Sequence, residues 1–145
     1  MGSVTLRALS YAPLRDTVEV VIDLQAATAG TGLEVTAGVT DGILAATFSG
    51  SAEMQAFEAM QQVVGALHRA AIERRVSLVS VDFIKLEFMS SSCFKCLVTW
   101  ISEITELSAD AQYKVRFLSS TAQLWQRRSL HVLQTFATDL VSIET

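Results

Sequence analysis

The 145-residue sequence is short of several residue types, and each shortage excludes a class of protein. Lysines and arginines number 11 against 15 aspartates and glutamates, and the resulting net charge of −4 argues against nucleic acid as a partner. No apolar run approaches the ~18 residues of a membrane span, and the first residues lack the apolar region of a secretory signal. With only two cysteines, we expect a protein of the reducing cytoplasm, without a membrane partner.

Side chains that hold metals or catalyse group transfer are equally scarce. His68 and His131 are far apart in the sequence, and neither has a second ligand at the spacing of a metal site. There is no glycine-rich phosphate loop and no pattern that argues for a Ser/His/Asp triad. We therefore expect no metal, no cofactor and no catalytic residue, which means a protein that is not an enzyme.

The residues that are present describe a folded α/β domain. Half of them are hydrophobic and 18% are charged, which is typical of a chain with one good core. From residue 33 onward, strand-like alternation and helix-like spacing follow one another in the order β-β-α-β-α-β-α-β. Asp41-Gly42 between the first two strands is a strong hairpin signal. Helices between consecutive strands predict crossovers onto a mixed, largely parallel sheet.

Residues 1–32 are predicted to form an N-terminal extension to a main domain at residues 33–145. Loose alternation of Val18, Val20 and Ile22 predicts an added strand from Thr17 to Leu24, followed by a loop of small residues. The extension either packs on the domain or faces a partner, and its apolar content favours packing.

A stretch from Val79 to Ile101 carries the functional signal. Val79, Val81 and Phe83 alternate with polar residues, as in a buried strand. Three serines then precede an amphipathic helix, so their hydroxyls lie where a strand ends and a helix begins. Free backbone N–H groups and the helix dipole favour an anion at such a position, and a phosphate on a serine would change the surface charge sharply.

This stretch resembles the central segment of STAS domains, the family of bacterial anti-sigma factor antagonists. Asp82 matches the aspartate that closes the family's strand, and Phe88-Met89 match the apolar pair that follows it. Ser90–Cys93 occupy the family's Asp-Ser-Ser-Gly loop, so the serine that a partner kinase phosphorylates falls on Ser91 and the second serine on Ser92. Two positions depart from the family pattern: Ser90 stands in place of aspartate, and Cys93 in place of glycine.

The resemblance implies a STAS-like fold with helices mainly on one face, and a regulatory function based on binding. The protein would act by partner switching, with an anti-sigma factor of the serine-kinase type or another signalling protein as its partner; a homo-oligomer stays open. Ser91 is the first candidate for phosphorylation, with Ser90 and Ser92 beside it. The implied partner-binding residues are Asp82, Met89, Ser90, Ser91, Ser92, Cys93 and Lys95.

Two other functions remain possible readings of the same residues. Cys93 and Cys96 form a C-x-x-C motif at a helix N-terminus, the position that a thiol redox protein uses. Thioredoxin-like folds also place a cis-proline against the thiols, whereas the one proline here is Pro13, far upstream. The cysteines are otherwise ordinary buried residues of a helix. The second alternative is a constitutive STAS-like scaffold that binds without a phosphate switch.

Overall fold

The computed structural model of the protein describes residues 5–8 and 20–145. In this part of the chain, one sheet of seven strands is combined with four α-helices and a 3₁₀ turn at Met54–Ala56. The strands are β1 (Thr5–Ala8), β2 (Val20–Asp23), β3 (Leu33–Thr40), β4 (Ile43–Ala52), β5 (Leu78–Met89), β6 (Lys114–Leu118) and β7 (Val141–Glu144). The helices are α1 (Gln25–Thr28), α2 (Phe57–Glu73), α3 (Ser91–Thr105) and α4 (Leu124–Phe136).

The order of the strands in the sheet is the same as their order in the chain. Strands β1 to β4 pair antiparallel, and β4 to β7 pair parallel. Within residues 33–145, three of the four pairings are therefore parallel, and the predicted mixed, largely parallel sheet is confirmed. The predicted hairpin is present as well, since Asp41 and Gly42 both have positive φ angles, 53° and 77°, between β3 and β4.

The helices cover one face of the sheet. Alternate residues of the central strands are buried beneath α2, α3 and α4 in one hydrophobic core. These strand residues are Leu44, Ala46, Phe48, Val79, Val81, Phe83, Val115 and Phe117. The residues between them point to the other face, where Ala45 and Thr47 are exposed and Arg116 Nη2 donates to Ser80 Oγ at 3.1 Å. The period-2 pattern of the sequence thus separates a covered face from an open one.

Strand β5 is longer than the alternation of Val79, Val81 and Phe83 indicates, and it runs on to Met89. It pairs with β6 only as far as Asp82, whereas its pairing with β4 continues to the end. On the side that β6 leaves open, side chains of α4 take over. Gln126 Nε2 donates to the carbonyls of Phe83 and Leu86 at 2.6 and 3.1 Å, and Trp125 Nε1 donates to Leu86 O at 3.0 Å. Helix α4 thereby replaces a missing strand neighbour.

Two predicted positions need correction or completion. By residue type, either Gly50 or Ser51 could cap the first long helix, but β4 extends through both residues because they pair with β5. The helix α2 therefore begins only at Phe57, after the 3₁₀ turn. In the predicted strand Thr17–Leu24, the structure places β2 at Val20–Asp23, antiparallel to β3. Residues 17–19 of that prediction, and Pro13, lie outside the described residues.

A polar chain crosses the contact between α2, α3 and the start of β6. Trp100 Nε1 donates to the Tyr113 hydroxyl at 2.7 Å, and the same hydroxyl lies 2.6 Å from His68 Nδ1. Because the hydroxyl proton is free to point at His68, the imidazole accepts it as a neutral ring. Burial lowers the pKa of His68, and the nearby Glu103 carboxylate opposes part of that shift. His68 is therefore half-buried and hydrogen-bonded.

We expect the stability of the protein to fall on mild acidification, between pH 7.5 and 5.5. The folded-state pKa of His68 is lowered, so near pH 6 the unfolded chain binds a proton that the folded chain does not. Stability is then greatest above the unfolded pKa of about 6.5 and decreases as the pH drops through it. Urea unfolding at each pH measures the effect, and His68→Gln, whose amide oxygen can accept from Tyr113, should flatten it. If the free energy of unfolding of the variant depends on pH as steeply as that of wild type, the pH dependence belongs to other groups.

Candidate functional site

The serine loop begins where β5 ends and is fixed from both sides. The amide of Ser90 donates to Ala52 O at 2.7 Å, which ties the loop to the end of β4. Ser90 has the extended conformation of an N-cap, with φ −70° and ψ 160°, and its hydroxyl accepts from the Cys93 amide at 3.2 Å. This is the usual way in which a serine satisfies a free amide at the start of a helix.

The three serines differ in their exposure. Ser90 is only 8% exposed, because its hydroxyl points back into the cap. Ser91 is the first residue of α3 and is exposed, and Ser92 is half-buried. Of the three hydroxyls, only that of Ser91 combines free access with the positive end of a 15-residue helix. A kinase acting on the folded protein would reach Ser91 first.

The two departures from the family pattern both have a structural role. A serine caps a helix as well as an aspartate does, so Ser90 maintains the local geometry without the carboxylate. Cys93 is fully buried, and its Sγ donates to Glu53 O at 3.4 Å. The thiol thereby links the first turn of α3 to the residue that precedes the 3₁₀ turn. The loop is held in a defined shape at both substituted positions.

The thiols lie in surroundings that suppress their reactivity. Cys93 and Cys96 are both buried and unpaired. Burial raises the pKa of Cys96 to about 11, with a further contribution from the neighbouring Cys93. Disulfide exchange also requires that a thiolate reach the partner's sulfur, and here Cys93 is 0% and Cys96 7% exposed. Burial therefore opposes exchange at both cysteines of the motif.

The residues implied as a partner-binding set do not all share one surface. Ser91 and Lys95 are exposed on α3, whereas Met89, Ser90 and Cys93 are buried. Asp82 is half-buried, and its carboxylate accepts from the Ile84 amide at 2.9 Å. It precedes Met89 by seven residues of an extended strand, a separation of roughly 20 Å. The structure thus brings together the residues from Met89 to Lys95 and leaves Asp82 apart from them.

Two exposed apolar residues near the loop are absent from that set. Phe88 is 46% exposed and pairs with Ser51, while Met54 is 74% exposed in the 3₁₀ turn that follows Glu53, the residue whose carbonyl accepts from the Cys93 thiol. Because Met89 points into the core, the preceding residue Phe88 lies on the opposite face of the strand. No sequence signal marks Met54 as an exposed residue. Both add apolar surface to the vicinity of Ser91.

Other kinds of site have little support in the described ranges. No group of three or more His, Cys, Asp or Glu side chains could hold a metal ion among residues 5–8 and 20–145. Over the same residues, no helix combines the length and the apolar character needed to cross a bilayer.

A solved structure has a similar fold. The chain is similar to an anti-sigma factor antagonist from Mycobacterium paratuberculosis, with a TM-score of 0.57 and 18% identity. The alignment covers 79% of this chain and 88% of the other. The fold is STAS-like. The fold expected from residues 79–101 is therefore confirmed.

Sequence comparison adds no closer relation. No family model matches the sequence, and no curated protein matches it. At 18% identity, the structural likeness establishes the fold, while the function has to be argued from the loop itself.

Proposed function

We propose that the protein is a regulatory binding module, which acts by contact with another protein rather than by catalysis. The observation that carries this proposal is the presentation of Ser91. Its exposed hydroxyl stands at the N-terminus of α3, while Ser90 and Cys93 fix the loop from the inside. Exposed Met54 and Phe88 supply apolar contact area nearby. A small polar group beside apolar anchors is the usual composition of a protein–protein contact.

The same position suits a phosphate switch. Phosphorylation of Ser91 would add about −1.5 to −2 charges at neutral pH. The helix dipole and free amides of the first turn stabilise that charge within the protein, so the fold should survive. A partner surface built around a neutral hydroxyl would instead bury a dianion, with a desolvation cost and possible charge repulsion. Modification would therefore release the partner and leave the domain folded.

The partner that we propose is an anti-sigma factor of the serine-kinase type, or another signalling protein of a partner-switching system. Support comes from the STAS-like fold, which is shared with a structure described as an anti-sigma factor antagonist. Ser91 and Lys95, two of the partner-binding residues that the resemblance implies, are both exposed. The proposed setting is the bacterial cytoplasm.

The test compares the affinity of variants for the partner. Wild-type protein is used to recover the partner from the source organism, and isothermal titration calorimetry then measures the dissociation constant. Ser91→Asp should weaken binding at least about tenfold, because a desolvated charge in a contact costs more than 1.4 kcal/mol. Ser91→Ala should bind as wild type does, and the melting temperature of both should change little.

Thr99→Asp is the matched control, since it places the same charge on an exposed position two turns further along α3. It should leave the affinity unchanged. If Ser91→Asp binds as tightly as wild type, and Ser91 and Ser90 stay unmodified in cells, the domain is a constitutive scaffold. If the protein instead reduces insulin disulfides and Cys93→Ser with Cys96→Ser abolishes that turnover, the redox function replaces the binding function.

A further inference from the structure

Helix α4 carries apolar residues on two sides. Its inner side buries Gln126, Leu130 and Leu133 against the sheet. On the outer side a row at four-residue spacing, here called the α4 ridge, consists of Leu124, Arg128, Val132 and Phe136. Its three apolar members are 89%, 52% and 52% exposed, in chain order. They make up three of the eight large hydrophobic residues that are exposed in the described part of the chain.

This clustering is unlike the outer face of an ordinary amphipathic helix. Such a helix places polar residues on the side opposite its core stripe. Single exposed hydrophobic residues are normal, whereas several on one side of a helix, rimmed by polar groups, mark a contact surface. The α4 ridge has such a rim, because Arg127 and His131 form the adjacent row and both are exposed.

The ridge is also basic in an acidic protein. The segment from residue 121 to residue 138 contains Arg127, Arg128 and His131 but no aspartate or glutamate, although the whole chain has a net charge of −4. Both arginines are exposed near the start of α4. Their local field therefore attracts an acidic partner group and is not neutralised within the segment.

A cleft of about 500 Å³ lies beside the ridge, between α4 and the ends of β6 and β7. Leu124, Arg127 and His131 belong to its wall, together with Ser120, Gln134 and Ile143. The ridge thus borders a concave space whose wall includes the Arg127 guanidinium and the His131 imidazole. An acidic side chain of a partner could enter there while apolar side chains cover the ridge.

We propose that the α4 ridge is a second protein-binding surface, whose occupant is an acidic amphipathic helix of a partner protein. A row of apolar residues at four-residue spacing packs well into the groove of another helix. Glutamates or aspartates on that helix would pair with Arg127, Arg128 and His131. This surface is separate from the serine loop, and the inference does not depend on the function proposed for Ser91.

Charge favours this occupant over two others. A second copy of the chain would present the same basic ridge in an isologous contact, bringing like charges together. A membrane surface would meet a single apolar row on a protein whose net charge is negative, so anionic lipids would be repelled by the remainder of the molecule.

The experiment uses two fluorescein-labelled helical peptides of 18 residues, one with leucines along one face and glutamates beside them, the other with lysines for the glutamates. Fluorescence anisotropy at low salt should show the acidic peptide binding at least tenfold tighter than the basic one. Raising the salt to 0.5 M should weaken that binding. Amide chemical shifts of the protein should change along α4 and around the cleft.

Leu124→Ser combined with Val132→Ser should lower the affinity for the acidic peptide at least tenfold. The fold should stay intact, because both side chains are exposed. Ile72→Ser, at a 40% exposed position on α2, is the matched control and should bind as wild type does. Equal binding of both peptides, or shifts away from α4, would overturn the proposal. The proposal would also be overturned if the wild-type protein formed a homodimer, or adsorbed to phosphatidylserine vesicles, and the double substitution abolished that association.

Discussion

Replacing Gly50 by alanine is expected to lower the free energy of unfolding by about 3–5 kcal/mol. Gly50 has a φ angle of +87°, which costs an L-residue about 1–2 kcal/mol. A Cβ atom at this position would lie 2.2 Å from the backbone oxygen of Gly32, so one of the two strands must move. The same oxygen accepts from the Ser51 amide at 3.0 Å, and the movement would weaken that hydrogen bond.

Gly42→Ala separates the cost of the positive φ angle from the cost of the steric overlap. Gly42 also has a positive φ angle, +77°, but an added Cβ atom meets nothing within 4 Å. This variant should lose only the conformational cost, about 1–2 kcal/mol. Urea unfolding of both proteins measures the difference. A loss at Gly50 no larger than that at Gly42 would show that the β3 and β4 strands yield easily there. Because Ser51 and Ala52 pair with the end of β5, Gly50→Ala should also disturb the serine loop.

Gln126→Leu is expected to cost about 2–5 kcal/mol although leucine is apolar and similar in size. Gln126 is fully buried, with its amide nitrogen on two carbonyls of β5 and its oxygen accepting from the Ser120 amide at 2.9 Å. Leucine would leave Phe83 O and the Ser120 amide without partners, at about 1–3 kcal/mol for each buried group. Leu86 O would retain its bond from Trp125.

The matched substitution is Gln134→Leu, in the same helix but only half-buried. It should change the stability by no more than about 0.5 kcal/mol. Chemical denaturation of the two variants gives the comparison, and hydrogen exchange at residues 83–89 would show where the loss arises. Equal stabilities for the two variants would mean that water or a local rearrangement satisfies the strand carbonyls in place of Gln126.

The parts of the fold that were predictable are those with an undisturbed period. Asp41-Gly42 determines its hairpin through the φ angles that the turn requires, and alternation from Val79 to Phe83 separates the two faces of the sheet. The second half of β5 breaks this rule. Its buried residues, Phe83, Leu86 and Met89, are three apart because the pairing with β4 contains two register shifts. A spacing of three favours a helix in the sequence, so the length of the strand was hidden.

In the candidate site, too, the sequence pattern alone leaves positions undistinguished. Three adjacent serines are chemically equivalent, and any of them could cap the helix that follows. The resemblance selects Ser91, and in the structure Ser91 is exposed because Ser90 is the N-cap, whose hydroxyl accepts from the Cys93 amide. In α4, Leu124 and Leu133 lie on opposite sides of the helix, one exposed and one buried. Composition alone does not distinguish the two sides, because Gln126 rather than a hydrophobic residue occupies the core.

The agreement between strand order and chain order has a consequence for synthesis on the ribosome. Each strand from β2 onward joins an edge that the preceding strand has already formed, so no strand must wait for a later one or be inserted between two others. The antiparallel pairings come first, and that of β3 with β4 requires only the closure of a two-residue loop, while the slower parallel crossovers follow. The chain can thus assemble vectorially, as domains do during translation. The growing edge of the nascent sheet is the surface most exposed to misassembly until β7 emerges.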